Sequence, residues 1–108
     1  MFEYKAHIIK VYDGDTVTAD IDLGFCVILK AQKLRLIGID APEIRGSERP
    51  LGIIARDRLR ELVLDKDVIL KTYRDKRGKY GRWLADIEVQ HVSVCSLLIA
   101  EGLVKKYE

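Results

Sequence analysis

The sequence predicts a mainly β domain of the α+β class: a five-stranded barrel with two helices, in the order β-β-β-α-β-β-α. Three observations predict it. Apolar and polar residues alternate with a period of two through much of the N-terminal third, the pattern of half-buried strands. Only the stretch around Ala55–Val63 and a shorter one after Ser93 switch to helical spacing. At 108 residues and 48% hydrophobic content, the chain suffices for one core, hence a single domain over 1–108.

In order, Tyr4–Val11 is apolar and β-branched with interleaved polar residues, a first strand, and Asp13-Gly14-Asp15 is a turn signal. From Thr16, strict alternation puts Val17, Ala19, Ile21 and Leu23 on one face and Thr16, Thr18, Asp20 and Asp22 on the other. Gly24 turns the chain, and Phe25–Ile39 returns as a third strand with Leu34 and Leu36 opposite Arg35, Ile37 and Ile39. The three form a meander. Ile44–Pro50 is polar and turn-rich, a loop. Ala55, Leu59, Leu62 and Val63 then mark an amphipathic helix that starts near Pro50–Ile53 and ends before Asp65. Val68–Tyr73 is a fourth strand. Arg82–Val89 is a fifth, with Trp83, Ala85, Ile87 and Val89 on its buried face. Ser93 is a good N-cap for a second helix presenting Val94, Leu97 and Leu98 and stopped by Gly102. One helix between the third and fourth of five short strands is the order of an OB-fold barrel. Fold alone does not give function.

No apolar run approaches the roughly 18–20 residues that span a bilayer, so no membrane partner is expected. The first residues, Met-Phe-Glu-Tyr-Lys-Ala-His, lack the apolar segment of a secretory signal. That favours the cytoplasm, with export open if a leader has been removed. Cys26 and Cys95 form no C-x-x-C and read as small hydrophobes, their pairing left open. His7 and His91 are isolated and read as structural or surface residues. A net charge of +2 says little, but its distribution says more. Lys71, Arg74, Lys76, Arg77, Lys79 and Arg82 crowd around the single acid Asp75, interleaved with Tyr73 and Tyr80. This is either a solvated loop or a nucleic-acid surface.

The chemistry concentrates in Leu34–Glu43. Arg35 interrupts an apolar strand and needs a partner, and a structural ion pair to Asp40 or Glu43 is the plainer reading. Asp40 and Glu43, three residues apart past a strand end and stiffened by Pro42, suit a metal or acid/base site. Set side by side, Asp13-Gly14-Asp15-Thr16, the run from Arg35 to Asp40-Ala41-Pro42-Glu43, Tyr80-Gly81-Arg82-Trp83-Leu84-Ala85 and Glu101-Gly102-Leu103 resemble the staphylococcal nuclease (thermonuclease) family, in order and from about Lys5 to Lys105.

The resemblance implies a Ca²⁺-dependent phosphodiesterase: an endonuclease for DNA and RNA that prefers single strands, has little sequence specificity and leaves 3′-phosphate ends. Asp15 and Asp40 match its metal-binding carboxylates. Ala41 stands where the family's backbone carbonyl ligand lies, often on a threonine. Glu43 matches the carboxylate that orients or deprotonates the attacking water, Arg35 and Arg82 the phosphate-binding arginines, and Lys79 and Tyr80 residues that contact the substrate nucleotide. A monomer is expected. The chain departs from the family in its longer second-to-third strand connection with Phe25, Cys26 and Val27, in Cys95 where asparagine is frequent, and in a short stretch after the second helix. The alternative is a non-catalytic nucleic-acid-binding OB module, in which some of these acids and arginines would be missing.

Overall fold

The computed structural model describes residues 2–74 and 83–107. Its long strands are β1 (Phe2–Asp13), β2 (Thr16–Asp22), β3 (Ile28–Leu36), β5 (Asp67–Arg74) and β6 (Trp83–Val89). Two-residue strands β4 (Ile39–Asp40), β7 (Val92–Ser93) and β8 (Lys105–Lys106) join the expected five. A 3₁₀ turn at Gly46–Glu48 leads into α1 (Arg49–Val63), and α2 is Val94–Ala100. The sheet runs β3-β2-β1-β5-β6-β7 and closes on itself where Leu34–Leu36 pairs in parallel with Trp83–Ala85. That pairing makes a barrel of the five long strands and leaves them few open edges.

The period-two pattern decides which faces turn inward. Val17, Ala19 and Ile21 of β2, Leu34 and Leu36 of β3, and Ala85 and Ile87 of β6 are all buried. Helix α1, with Pro50 in its first turn, lays Ala55, Leu59 and Val63 on the barrel as its spacing predicts. A fully buried side chain such as Leu59 or Leu98 stabilises the fold by about 1.5–3 kcal/mol.

Three expectations are corrected. Leu23 is exposed, because β2 ends at Asp22, whose carboxylate accepts the Gly24 N–H at 2.8 Å and starts the turn early. Phe25–Ile39 is not one strand. Phe25 and Cys26 take positive φ at an exposed hairpin tip, and Gly38, at φ +74°, reverses the alternation so that Ile39 is buried instead of sharing a face with Arg35. Trp83 is 43% exposed, because it stands at the first residue of β6, where burial is incomplete. Its neighbours Ala85 and Ile87 are core, as expected.

Local chemistry fixes the ends of elements. The Ser93 hydroxyl accepts the Ser96 N–H at 3.2 Å and donates to Asp86 at 2.7 Å, capping α2. Gly102, at φ +71°, ends it. Arg58 of α1 grips Glu101 with two bonds of 2.8 and 2.9 Å, tying the helices together. Both thiols are free, Cys26 exposed and Cys95 buried, and burial pushes the Cys95 thiol up. His7 is clasped at 2.8 Å by Asp67 on one ring nitrogen and by Asp65 on the other. Asp67 first and Asp65 second raise its pKa above 6.5. The clasp therefore stabilises the fold fully below 6.5 and loses its contribution as pH rises through the raised value. Among the described residues, no helix is long and apolar enough to cross a membrane.

Candidate active site

The site is built at the β1–β2 turn. The Asp13 carboxylate accepts the Asp15 N–H at 3.0 Å, the short-range bond that aspartate makes in tight turns. A Cβ on Gly14 would stand 2.7 Å from the Ala41 Cβ and 3.0 Å from that of Ala55, so only glycine lets the turn press against the β4 exit and α1. Asp15 is consequently 5% exposed. Burial demands partners, and they are present. Its Oδ2 accepts the Ala41 N–H at 3.0 Å, its Oδ1 the Thr16 hydroxyl at 3.1 Å, and its main-chain carbonyl the Leu36 N–H at 2.8 Å.

Arg35 explains itself once β4 is seen. Its Nη1 lies 3.3 Å from Asp15 Oδ2, and its Nη2 donates to the Ile39 carbonyl at 3.3 Å and sits 3.8 Å from Asp40. The guanidinium also lies 5.8 Å over the Tyr107 ring, within cation–π range. Tyr107 is held there by its N–H bond to Gly38 O at 2.9 Å, next to the β4–β8 pairing of Asp40 with Lys105. The ion pair to Asp40 foreseen as the plainer reading is real, and Asp15 is the nearer partner.

Asp40 and Glu43 are exposed, yet their backbone is not loose. The Glu43 N–H donates to Glu48 Oε2 at 2.8 Å, and Arg49 donates to the Ile44 carbonyl at 3.1 Å. A Cβ on Gly52 would collide with the Glu43 carbonyl, so a glycine in α1 is what lets this loop seat on the helix.

Asp13, Asp15, Arg35, Asp40, Ala41 and Glu43 all line one open cleft of about 760 Å³. A larger hollow of about 930 Å³ surrounds His7, Asp20 and Lys30 and contains none of them, so size alone would mislocate the chemistry. Asp13 is pushed up to about 6, first by burial and then by hydrogen bonding with Asp15. Carboxylates are thus crowded at the cleft floor, the situation that a cation relieves. Among the described residues, no three of His, Cys, Asp and Glu are grouped so as to hold a metal by themselves. The carboxylates of Asp15 and Asp40 offer this cleft hard oxygens, the donor type of a calcium ion that completes its shell with water and substrate. They do not fit a closed zinc site.

Of the residues singled out in the sequence, the structure gathers Asp15, Arg35, Asp40, Ala41 and Glu43 in that cleft. Arg82, Lys79 and Tyr80 lie outside the described residues. Sequence reasoning missed Glu48 and Gly52 and read Gly14 only as part of a turn; their roles are a backbone bond across five residues and, for the two glycines, close approach. Glycine inside an otherwise helical pattern was the available signal for Gly52.

The molecule is thus a closed barrel with acids and an arginine sharing a cleft where β1–β2, β3 and β4 meet. Residues 33–108 match the family described as Staphylococcal nuclease homologue. The thermonuclease of Staphylococcus hyicus is 32% identical over 106 residues, covering 95% of this chain and 59% of that protein. Endonuclease YncB of Bacillus subtilis is 33% identical over 102 residues, covering 89% and 44%. A probable staphylococcal-like nuclease, CAN1, of rice (Oryza sativa subsp. japonica) is 36% identical over 81 residues, covering 75% and 23%. The chain belongs to the staphylococcal nuclease family. It spans less than two thirds of the length of these relatives.

Proposed function

We propose that this cleft hydrolyses phosphodiester bonds in DNA and RNA with the help of calcium, preferring single strands and leaving 3′-phosphate ends. The observation that carries the reading is the convergence of Asp15, Asp40 and Glu43 with Arg35 in one cleft. The names of the relatives, thermonuclease and endonuclease, support it.

Asp15, Asp40 and the Ala41 carbonyl would hold the ion. When bound, it supplies positive charge to the phosphate oxygens as negative charge builds on them. Arg35 donates its fixed fork of N–H groups to two non-bridging oxygens, a grip that a point charge does not reproduce. Arg82 is the expected second clamp. Glu43 holds a water in line with the phosphorus and takes its proton as the new O–P bond forms, and the 5′ oxygen departs as a hydroxyl, gaining a proton from solvent. Lys79 and Tyr80 would seat the nucleotide. Contacts to phosphate carry no sequence information, so specificity should be low. A monomer suffices, because every residue in this scheme lies on one chain.

The test is direct. Single-stranded DNA is incubated with the protein, with calcium in one tube and chelator in another, and the product ends are analysed. Cleavage only with calcium, giving 3′-phosphates, is expected. Cleavage in both tubes or in neither sinks the metal-dependent reading, and binding without cleavage would favour the non-catalytic module.

A further inference from the structure

The same cleft has a second side that the scheme above does not use. Lys10 of β1 pairs across the sheet with Thr18 of β2, and Thr18 with Lys33 of β3. The next row along the strands is Asp13–Thr16–Arg35. Cross-strand partners point to the same face, as do residues two apart on one strand, so the two rows stand side by side. Lys10, Thr18 and Lys33 line the same open cleft as Asp15 and Arg35. Two residues of β2 and of β3 separate the rows, about 7 Å, and three of β1, where a bulge lies between Val11 and Asp13. That is close to the length of one nucleotide in an extended single strand.

Lys10 and Lys33 differ from the lysines that neighbouring groups already hold. Lys30 is paired with Asp20, Lys71 with Glu88 and Glu3, and Lys66 donates to the Glu61 carbonyl. Among the described residues, Lys10 and Lys33 have no carboxylate within ion-pair distance. Two uncompensated cations beside the row that carries Arg35 attract an anion that continues past the phosphate held there. Tyr12, 45% exposed on the same wall, offers an aromatic face beside them.

We infer that the Lys10–Thr18–Lys33 row is a subsite for a second phosphate of a single-stranded nucleic acid, one nucleotide from the phosphate held by Arg35. This rests on the proposed nuclease reading and adds the path of the nucleic acid: along the direction of β1, β2 and β3, perpendicular to the rows. The row would supply affinity for polymers over short fragments and leave the sequence unread.

The experiment measures binding of a fluorescent single-stranded oligonucleotide in chelator, where no cleavage occurs, as a function of salt. Lys10→Ala and Lys33→Ala should each flatten the slope of log affinity against log salt by about 0.7, and the double variant by about twice that. Lys5→Ala removes a cation near the far hollow and should leave the slope as in wild type. An unchanged slope in the double variant, or an equal loss in Lys5→Ala, overturns the subsite. Wild-type binding without any cleavage in calcium would overturn the nuclease reading alone, and no binding by wild type in chelator, with cleavage intact in calcium, would overturn the subsite alone. Circular dichroism of each variant shows that a lost slope is not lost fold.

Discussion

Replacing Arg35 with lysine is expected to slow cleavage of single-stranded DNA about a hundred- to a thousandfold at saturating calcium, the cost of removing one preorganised donor to a developing oxyanion. The charge is kept, so the loss would come from geometry. Arg35 reaches Asp15 with Nη1 and both the Ile39 carbonyl and Asp40 with Nη2 of one rigid plane, and Tyr107 lies beneath it. Lysine has one rotating ammonium and cannot keep that plane. Asp15, at 5% exposure, retains hydrogen bonds from Ala41 and Thr16, so the variant should still fold. Rate and melting temperature measured on the same samples check this. A lysine variant within twofold of wild type would show that Arg35 is a structural ion pair and no phosphate clamp.

Gly52→Ala is expected to damage both stability and rate, although alanine is the better helix former. The propensity gain is about 1 kcal/mol. Against it stands the collision of the new Cβ with the Glu43 carbonyl, a backbone atom that no rotamer change can move aside. Overpacking of this kind costs about 1–3 kcal/mol, so the clash wins. Relief requires the loop to lift from α1, taking Glu43 with it and straining the bond from its N–H to Glu48. A displacement on the order of 1 Å is enough to lose about a hundredfold in rate. Thermal melting and kinetics on the variant would show both losses together. A higher melting temperature with full activity would mean that Glu43 does not depend on this seat.

How far the fold was legible follows from where the signals lie. The alternation of Val17, Ala19 and Ile21 and the helical spacing of Ala55, Leu59 and Val63 are local, and the structure buries all six. Gly38 hid the break before Ile39, because a single positive-φ residue leaves the hydrophobic pattern readable as one strand. Trp83 misled because residue type argues for burial while position at a strand start argues against it. The site residues Asp15, Arg35, Asp40 and Glu43 stood out as motifs, and the cleft that gathers them came from the fold. What no local pattern contains is contact between distant segments: Gly14 against Ala41 and Ala55, Gly52 against Glu43, and the row joining Lys10 to Lys33 through Thr18.

The proposed division of labour in the cleft is open to one measurement, a calcium titration of single-strand cleavage by Asp40→Asn beside Glu43→Gln. If Asp40 helps to hold the ion and Glu43 handles water, Asp40→Asn should need about tenfold or more calcium to reach its half-maximal rate. Glu43→Gln should keep the wild-type calcium midpoint while its maximal rate falls about a hundred- to ten-thousandfold. Wild-type titration curves from both variants, or identical curves from the two, would contradict it.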